Sequence, residues 1–374
     1  MGRVIEELKR FRELDIKYSE GRIFGSMCSS IHPLAKEIVS LFLETNLGDP
    51  GLFKGTKLLE EKAVKLLGEI LKNKEPYGFI VSGGTEGNLL AMRVVKKMKG
   101  RTIILPKTAH FSFEKAKEMM DLNLVYAPLT KGYEIDVRFV KDYVEDYKVD
   151  GIVGIAGTTE FGTIDNIEKL SEIAKENDIY LHVDAAFGGF VIPFLPKEYR
   201  RKEINYTFDF SLNVDSITID PHKMLLCPIP AGGIIFKNSS YKRYLEVDAP
   251  YLTETKQATI LGTRPGFGAA CTYGLLRYFG EEGLKKLVKE VMDRTFYFKE
   301  RLEREGFKLL LEPILNIIAI EDENHIETCK KLKEMGYYPS VCFNAKALRI
   351  VVMPHIREEH IDNFIEVLKE VKRD

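Results

Sequence analysis

The sequence has no surplus of charge of either sign: 55 lysines and arginines stand against 56 aspartates and glutamates, a formal net charge of −1. No basic field for nucleic acid or acidic lipid follows from such a balance, so a small-molecule partner is the expectation. Cysteine is sparse. The five, Cys28, Cys227, Cys271, Cys329 and Cys342, are scattered without a CxxC pair, which argues against a zinc site and against a disulfide framework; reduced thiols are expected. No stretch approaches the ~20 apolar residues that a membrane span needs. The opening MGRVIEELKRFRELD reads as an amphipathic charged helix and not as a signal peptide, so the expected location is the cytoplasm. There is no internal repeat, no low-complexity linker and no helix-turn-helix pattern.

What is present is a chain of 374 residues with ordinary globular composition, a length that suits a large domain plus a smaller one. From Gly78 to Asp184 short apolar runs alternate with helical patterns: GFIVSG, a helix to about Lys99, RTIILP, a helix from Ser112, LVYAPL, VDGIVGIAG, a helix from Asn166, and IYLHVDAA. That rhythm predicts strand-helix-strand units and a mostly parallel sheet, an α/β fold. Open sheets of this kind place ligands at the carboxyl ends of their strands, and several of these ends carry Gly, Thr, Asp or His. AGGIIFK is expected to return as an antiparallel strand. A long helical region from about Ala269 to Glu305 follows a polar stretch from Ser239 to Thr263. The last part reads as strand FKLLLE, strand LNIIAIE, helix HIETCKKLKEMG, strand ALRIVVMP and helix EEHIDNFIEVLKEVK, a small α+β domain. The expected divisions are an N-terminal helical segment 1–50, a large domain 51–275 and a small domain 276–374.

Three elements carry chemistry. In DSITIDPHKM, His222 and Lys223 directly follow a buried strand. A lysine so placed is either a paired structural charge or, poorly solvated, a nucleophile toward carbonyls. In HVDAAFGG, Asp184 ends another strand and is followed by small residues; it reads either as a helix cap or as a ligand-facing charge, and no second carboxylate stands at metal-ligand spacing, so no metal is expected. In SGGTEGNLLAM a strand runs through Ser82, Gly83, Gly84 and Thr85 into a helix. Glycine permits the tight turn, and a helix N-terminus offers N–H groups and partial positive charge to a phosphate. The turn is neither a GxGxxG fingerprint nor a Walker loop. An aldehyde for the lysine, a basic ring nitrogen for the carboxylate and a phosphate for the helix end are all found in pyridoxal phosphate.

With His-Lys at 222 and 223 and His-x-Asp-Ala-Ala from His182 to Ala186, the sequence resembles the group II pyridoxal-phosphate decarboxylases over nearly its whole length. Within that group it is most similar to the archaeal L-tyrosine/L-aspartate decarboxylases, through GLFKGTKLLEEKAV, IAGTTEFGTIDNIE, DSITIDPHKM, DAPYLTET and ILGTRPGFGAACTY. The resemblance implies an aspartate-aminotransferase-like (type I) fold with a seven-stranded sheet and a small C-terminal α+β domain. It also implies that Lys223 carries the cofactor, Asp184 keeps its ring nitrogen protonated, and His110 covers the ring. Gly84 and Thr85 would hold the phosphate, Thr159 would lie near the phenolic oxygen, and Ala186 and His222 would complete the cofactor site. Thr263, in GTRPG, would reach the phosphate from a neighbouring subunit, so a homodimer with shared active sites is implied.

The implied reaction is decarboxylation of an L-amino acid, tyrosine to tyramine or aspartate to β-alanine, products that serve methanofuran and coenzyme A biosynthesis. The bond that breaks is set by where the α-carboxylate is held; Ser26, in the segment Gly25 to Ser30, and Arg349 are candidates for holding it. Tyr251, in DAPYLTET, is the first candidate for protonating Cα, with His110 and Lys223 behind it. Another type I lyase or aminotransferase, or a non-catalytic cofactor-binding protein, are the competing readings.

Overall fold

The computed structural model describes residues 2–373, which divide into two compact units: Ile31–Lys289, and the described residues up to Ser30 together with those from Glu290 onward. The division differs from 1–50, 51–275 and 276–374. Residues 31–50 belong with the larger unit because Leu47 N donates to Arg264 O and Cys271 Sγ to Ala35 O within it. Residues up to 30 belong with the C-terminal ones because Phe24 is part of their apolar core and its carbonyl accepts from Val351 N.

The larger unit is built on a sheet of seven strands: β1 (Tyr77–Val81), β2 (Thr102–Pro106), β3 (Asn123–Ala127), β4 (Gly151–Ile155), β5 (Tyr180–Asp184), β6 (Ser216–Ile219) and β7 (Gly232–Phe236), in the order β1-β7-β6-β5-β4-β2-β3. Strands β2 to β6 pair in parallel, and β7 runs antiparallel to both β6 and β1. Every residue of β4, β5, β6 and β7 is buried, as expected of strands covered on both faces. Parallel strands need crossovers, and helices Gly84–Met98, Ser112–Met120, Val137–Asp146 and Ile167–Glu176 provide those from β1 to β2, β2 to β3, β3 to β4 and β4 to β5. The helix Val137–Asp146, capped by Asp136 through Arg138 N, is absent from the sequence-based expectations. Because β1 and β6 flank an antiparallel β7, they point the same way as β2 to β5, and six carboxyl ends share one edge.

The helical stretch Phe267–Arg304 is interrupted at Gly280, where φ is 55° and ψ −170°, and the division between the units falls within it after Lys289. In the smaller unit strands Ile317–Glu321, Ala347–Val351 and Ser340–Val341 form an antiparallel sheet. Helices His325–Glu334 and Glu358–Arg373 accompany it, and the core includes Phe298, Ile318, Leu348, Ile350 and Phe364. FKLLLE, expected as a strand, makes only the isolated bridge Leu309–Ile320; its side chains are at most half-buried, so no apolar face secures a full ladder. Helix Gly2–Glu13 buries none of its residues. Among the described residues no helix is long and apolar enough to cross a membrane.

Candidate active site

The carboxyl ends of β1, β2, β4, β5 and β6 enclose a cleft of about 310 Å³ in the larger unit. Gly84, Thr85, His110, Thr159, Asp184, Ala186, His222 and Lys223 all line it. Eight residues singled out in the sequence thus converge on one cleft from five separate chain segments.

The turn after β1 is shaped by close backbone approaches. A Cβ on Gly84 would stand 2.9 Å from Asp220 Oδ2, one on Gly83 would stand 3.1 Å from the His222 ring, and one on Gly232 would stand 2.4 Å from Gly83 Cα. Any side chain there would fill the space above the helix end. No side chain caps helix Gly84–Met98; Glu86 instead accepts from Ser82 N at 2.8 Å. The first N–H groups of the helix are thereby left for an anion.

At the end of β6, Lys223 Nζ lies 3.1 Å and His222 Nε2 3.7 Å from Asp220 Oδ2. His222 Nδ1 donates to Ala231 O at 2.6 Å, and Nε2 faces the carboxylate. Asp220 is 1% exposed. At the end of β5, Asp184 accepts from Asn88 Nδ2 at 2.9 Å on Oδ2 and from Ala186 N at 3.0 Å on Oδ1. Among the described residues it has no ion pair. Across the cleft His110 accepts from Ser112 N at 3.3 Å and packs on Phe111, 4.0 Å between ring centroids. Burial pushes its imidazole below the ordinary histidine range, against the opposing pull of Asp184, and Lys223 adds to the depression. Behind the β4 end, Asp165 accepts from Ile135 N and Ile155 N, both at 2.7 Å, and pins the loop that carries Thr159.

Two buried polar atoms of cleft residues, Asp220 Oδ1 and Thr108 Oγ1, lack a protein partner. An amine, an unpaired carboxylate, a glycine cradle at a helix end and unsatisfied polar atoms in one cleft fit a flat ring bearing an aldehyde, a basic nitrogen and a phosphate.

Four expected residues stand elsewhere. Tyr251 is 86% exposed in the segment that joins strands Val247–Asp248 and Lys256–Gln257, and it does not line the cleft of its own chain. Thr263 is exposed and also outside it. Its neighbour Arg264 is buried, paired with Glu60 at 2.6 Å and donating to Ile80 O. Ser26 and Arg349 belong to the smaller unit. There Ser26 Oγ accepts from Cys28 N and bonds Tyr18 Oη, and Arg349 donates to Gly25 O and Ser340 Oγ, both at 2.9 Å. Asn88 and Asp220 line the cleft without having been singled out. An asparagine within the apolar run NLLAM, and an acid three positions before a lysine at a strand end, were the available signals.

This combination defines the class: an enzyme of the type I pyridoxal-phosphate fold. Residues 55–321 match the pyridoxal-dependent decarboxylase conserved domain, and the chain belongs to that family. It is 66% identical over 383 residues to the L-tyrosine/L-aspartate decarboxylase of Methanocaldococcus jannaschii, covering 99% of this chain and 97% of the relative. It is 46% identical over 374 residues to a probable L-aspartate decarboxylase of Archaeoglobus fulgidus, covering 99% of each. Among solved structures, sphingosine-1-phosphate lyase of Burkholderia pseudomallei superposes with a TM-score of 0.89 at 25% identity, covering 100% of this chain and 90% of that one. Glutamate decarboxylase of Lactobacillus brevis superposes with a TM-score of 0.85 at 23% identity, covering 100% and 92%, and shows the shared fold. The protein is a pyridoxal-phosphate-dependent carboxy-lyase.

Proposed function

We propose that the chain removes the α-carboxylate of L-tyrosine, L-aspartate or both, yielding tyramine and β-alanine, the amines that methanofuran and coenzyme A biosynthesis draw on. The observation that carries the reading is the meeting of Lys223, Asp184 and the Gly83-Gly84 turn in one cleft, taken with relatives whose names give tyrosine and aspartate. Lys223 would be the amine that holds the cofactor's aldehyde, and Asp184 would pair with its ring nitrogen. Gly84 and Thr85 would hold the phosphate, while Thr159, Ala186, His222 and His110 would complete the cofactor site. When bound, pyridoxal phosphate supplies the sink for the electron pair left at Cα when carbon dioxide departs.

The protein's own part is binding and proton handling. Asp220, beside Lys223 Nζ, balances the lysine's charge whenever that amine is free. His110, kept uncharged by burial, adds no cation to the ring face. Ser26 and Arg349 remain the proposed holders of the α-carboxylate. Lys223 and His110 are cleft groups able to return a proton to Cα; Tyr251, outside the cleft of its own chain, can do so only across a two-fold interface. We place the enzyme in the cytoplasm as a homodimer. Exposed Val4, Ile5, Leu8 and Phe11 on helix Gly2–Glu13 support a second copy covering that face. Thr263 of one subunit would then serve the phosphate of the other, which a mixed dimer tests. Thr263→Glu and Lys223→Ala should each inactivate a homodimer, while their heterodimer keeps one intact site and regains about half the activity by two-fold symmetry. A dead heterodimer of verified composition contradicts the shared site.

Incubating the purified protein and pyridoxal phosphate with each of the amino acids, and identifying the products, tests the reaction. Tyramine or β-alanine with carbon dioxide is expected; keto acids or aldehydes would mark an aminotransferase or a carbon-carbon lyase.

A further inference from the structure

Behind Asp184 runs a row of buried polar groups that the reaction as described leaves unused. Tyr180, His182 and Asp184 alternate along β5 and so share one face of the sheet, and Ser216 of β6 is the register partner of His182. The Tyr180 hydroxyl donates to Ser216 Oγ at 2.8 Å, and Ser216 Oγ lies 2.8 Å from His182 Nδ1. Beyond the imidazole, His182 Nε2 is 3.0 Å from Asn88 Oδ1. Asn88 Nδ2 then donates to Asp184 Oδ2 at 2.9 Å and to Ser112 Oγ at 3.0 Å.

The hydrogens in this row can be placed by elimination. A carboxamide oxygen only accepts, so His182 Nε2 must carry a hydrogen. His182 is 0% exposed, and burial pushes its imidazole down to about 4, so it is neutral at ordinary pH and has no second hydrogen. Nδ1 therefore accepts from Ser216, whose oxygen in turn accepts from Tyr180. A flipped Asn88 amide would set its oxygen against the Asp184 carboxylate with no hydrogen between them. One hydrogen at each link from Tyr180 to Asn88 thus points toward Asp184, and the second Asn88 amide hydrogen goes to Ser112. The carboxylate is held by two neutral donors, Asn88 Nδ2 and Ala186 N, and its negative charge is cancelled by neither.

We propose that Asn88, fixed by His182 in its Nε2–H form, is a positioning residue that orients Asp184 and reserves its charge for the cofactor's ring nitrogen. The proposal rests on the pairing of Asp184 with that nitrogen. It is tested with cofactor labelled with 15N in the ring, whose NMR signal reads protonation directly. In Asn88→Leu the signal should move from the protonated toward the unprotonated range, and kcat should fall about 10-fold with little change in KM, the scale of losing an outer-shell partner. His182→Leu should behave alike, whereas His182→Gln, which keeps a donor toward Asn88, should recover most of the loss. An unmoved signal in Asn88→Leu, beside a moved one in Asp184→Asn, overturns the role of Asn88 and leaves the Asp184 pairing standing. An unmoved signal in Asp184→Asn overturns the pairing itself. Should the leucine variants fail to fold, histidine labelled with 15N in the unsubstituted protein, assigned by comparison with His182→Gln, still decides. A neutral Nε2–H signature for His182 is expected at pH 7, and an Nδ1–H or charged signature contradicts the proposal.

Discussion

Strands β5 and β6 are parallel neighbours, and each delivers an aspartate to the cleft at its carboxyl end, Asp184 from one and Asp220 from the other. Both are buried, 6% and 1% exposed, yet their partners differ in kind. Asp184 accepts from an amide side chain and a backbone N–H. Asp220 faces the Lys223 ammonium at 3.1 Å and the His222 ring at 3.7 Å. A buried charge needs compensation; Asp220 receives it from its own chain, while Asp184 has hydrogen bonds but, among the described residues, no ion pair. The same residue type, one strand apart, is thus prepared for different partners: Asp184 for a cationic group that arrives with the ligand, Asp220 for a lysine already present.

Substitutions at the two strand ends can break that contrast. The largest effect belongs to Lys223→Ala, which should abolish turnover while circular dichroism still shows the parent's fold, with a lower melting temperature because buried Asp220 loses its compensating cation. Visible absorbance typical of a lysine-linked cofactor persisting in that variant would contradict it. Next comes Asp184→Asn, which keeps shape and one hydrogen bond but not charge. It should retain cofactor and lose decarboxylation by roughly 100-fold or more, the scale of removing a group that stabilises developing charge. Asp220→Asn should cost less, about 10-fold in kcat/KM or ~1.4 kcal/mol, because Lys223 keeps other solvation at the cleft mouth. A loss equal to that of Asp184→Asn would erase the distinction.

The smallest effect is on stability. His182, behind Asp184, has a folded-state pKa of about 4, below its unfolded value near 6.5. The unfolded chain therefore binds the proton first, so its contribution is complete above about pH 6.5 and is lost as pH falls toward about 4. Between pH 7 and pH 5 the parent should lose ~2 kcal/mol more than His182→Gln, read from denaturant melts without cofactor. Equal losses in the two proteins would show that His182 is not neutral and buried as described.

The strands of the large sheet were legible because both faces are covered, so each is a short continuous apolar run ending in Gly, Asp, Thr or His. The strand ends brought their site residues with them. The crossover helix Val137–Asp146 carries Val137, Phe139, Val140, Tyr143 and Val144 at helical spacing but buries only Val140; the stripe was there to be read and was overlooked. FKLLLE shows the reverse error, an apolar run that lies beside strand Ile317–Glu321 but makes only one bridge to it. Asn88 stands 96 positions from Asp184 and Glu60 204 positions from Arg264, and no local pattern announces partners so remote. Tyr251 and Thr263 were singled out by resemblance alone, and within one chain neither reaches the cleft.

The most direct measurement is to load the protein with pyridoxal phosphate, reduce it with borohydride, digest it and locate the attached cofactor by mass spectrometry. Attachment to the peptide carrying Lys223, and its disappearance in Lys223→Ala, is the predicted result. Attachment to any other lysine, or none, would contradict the assignment of the cleft at the ends of β5 and β6.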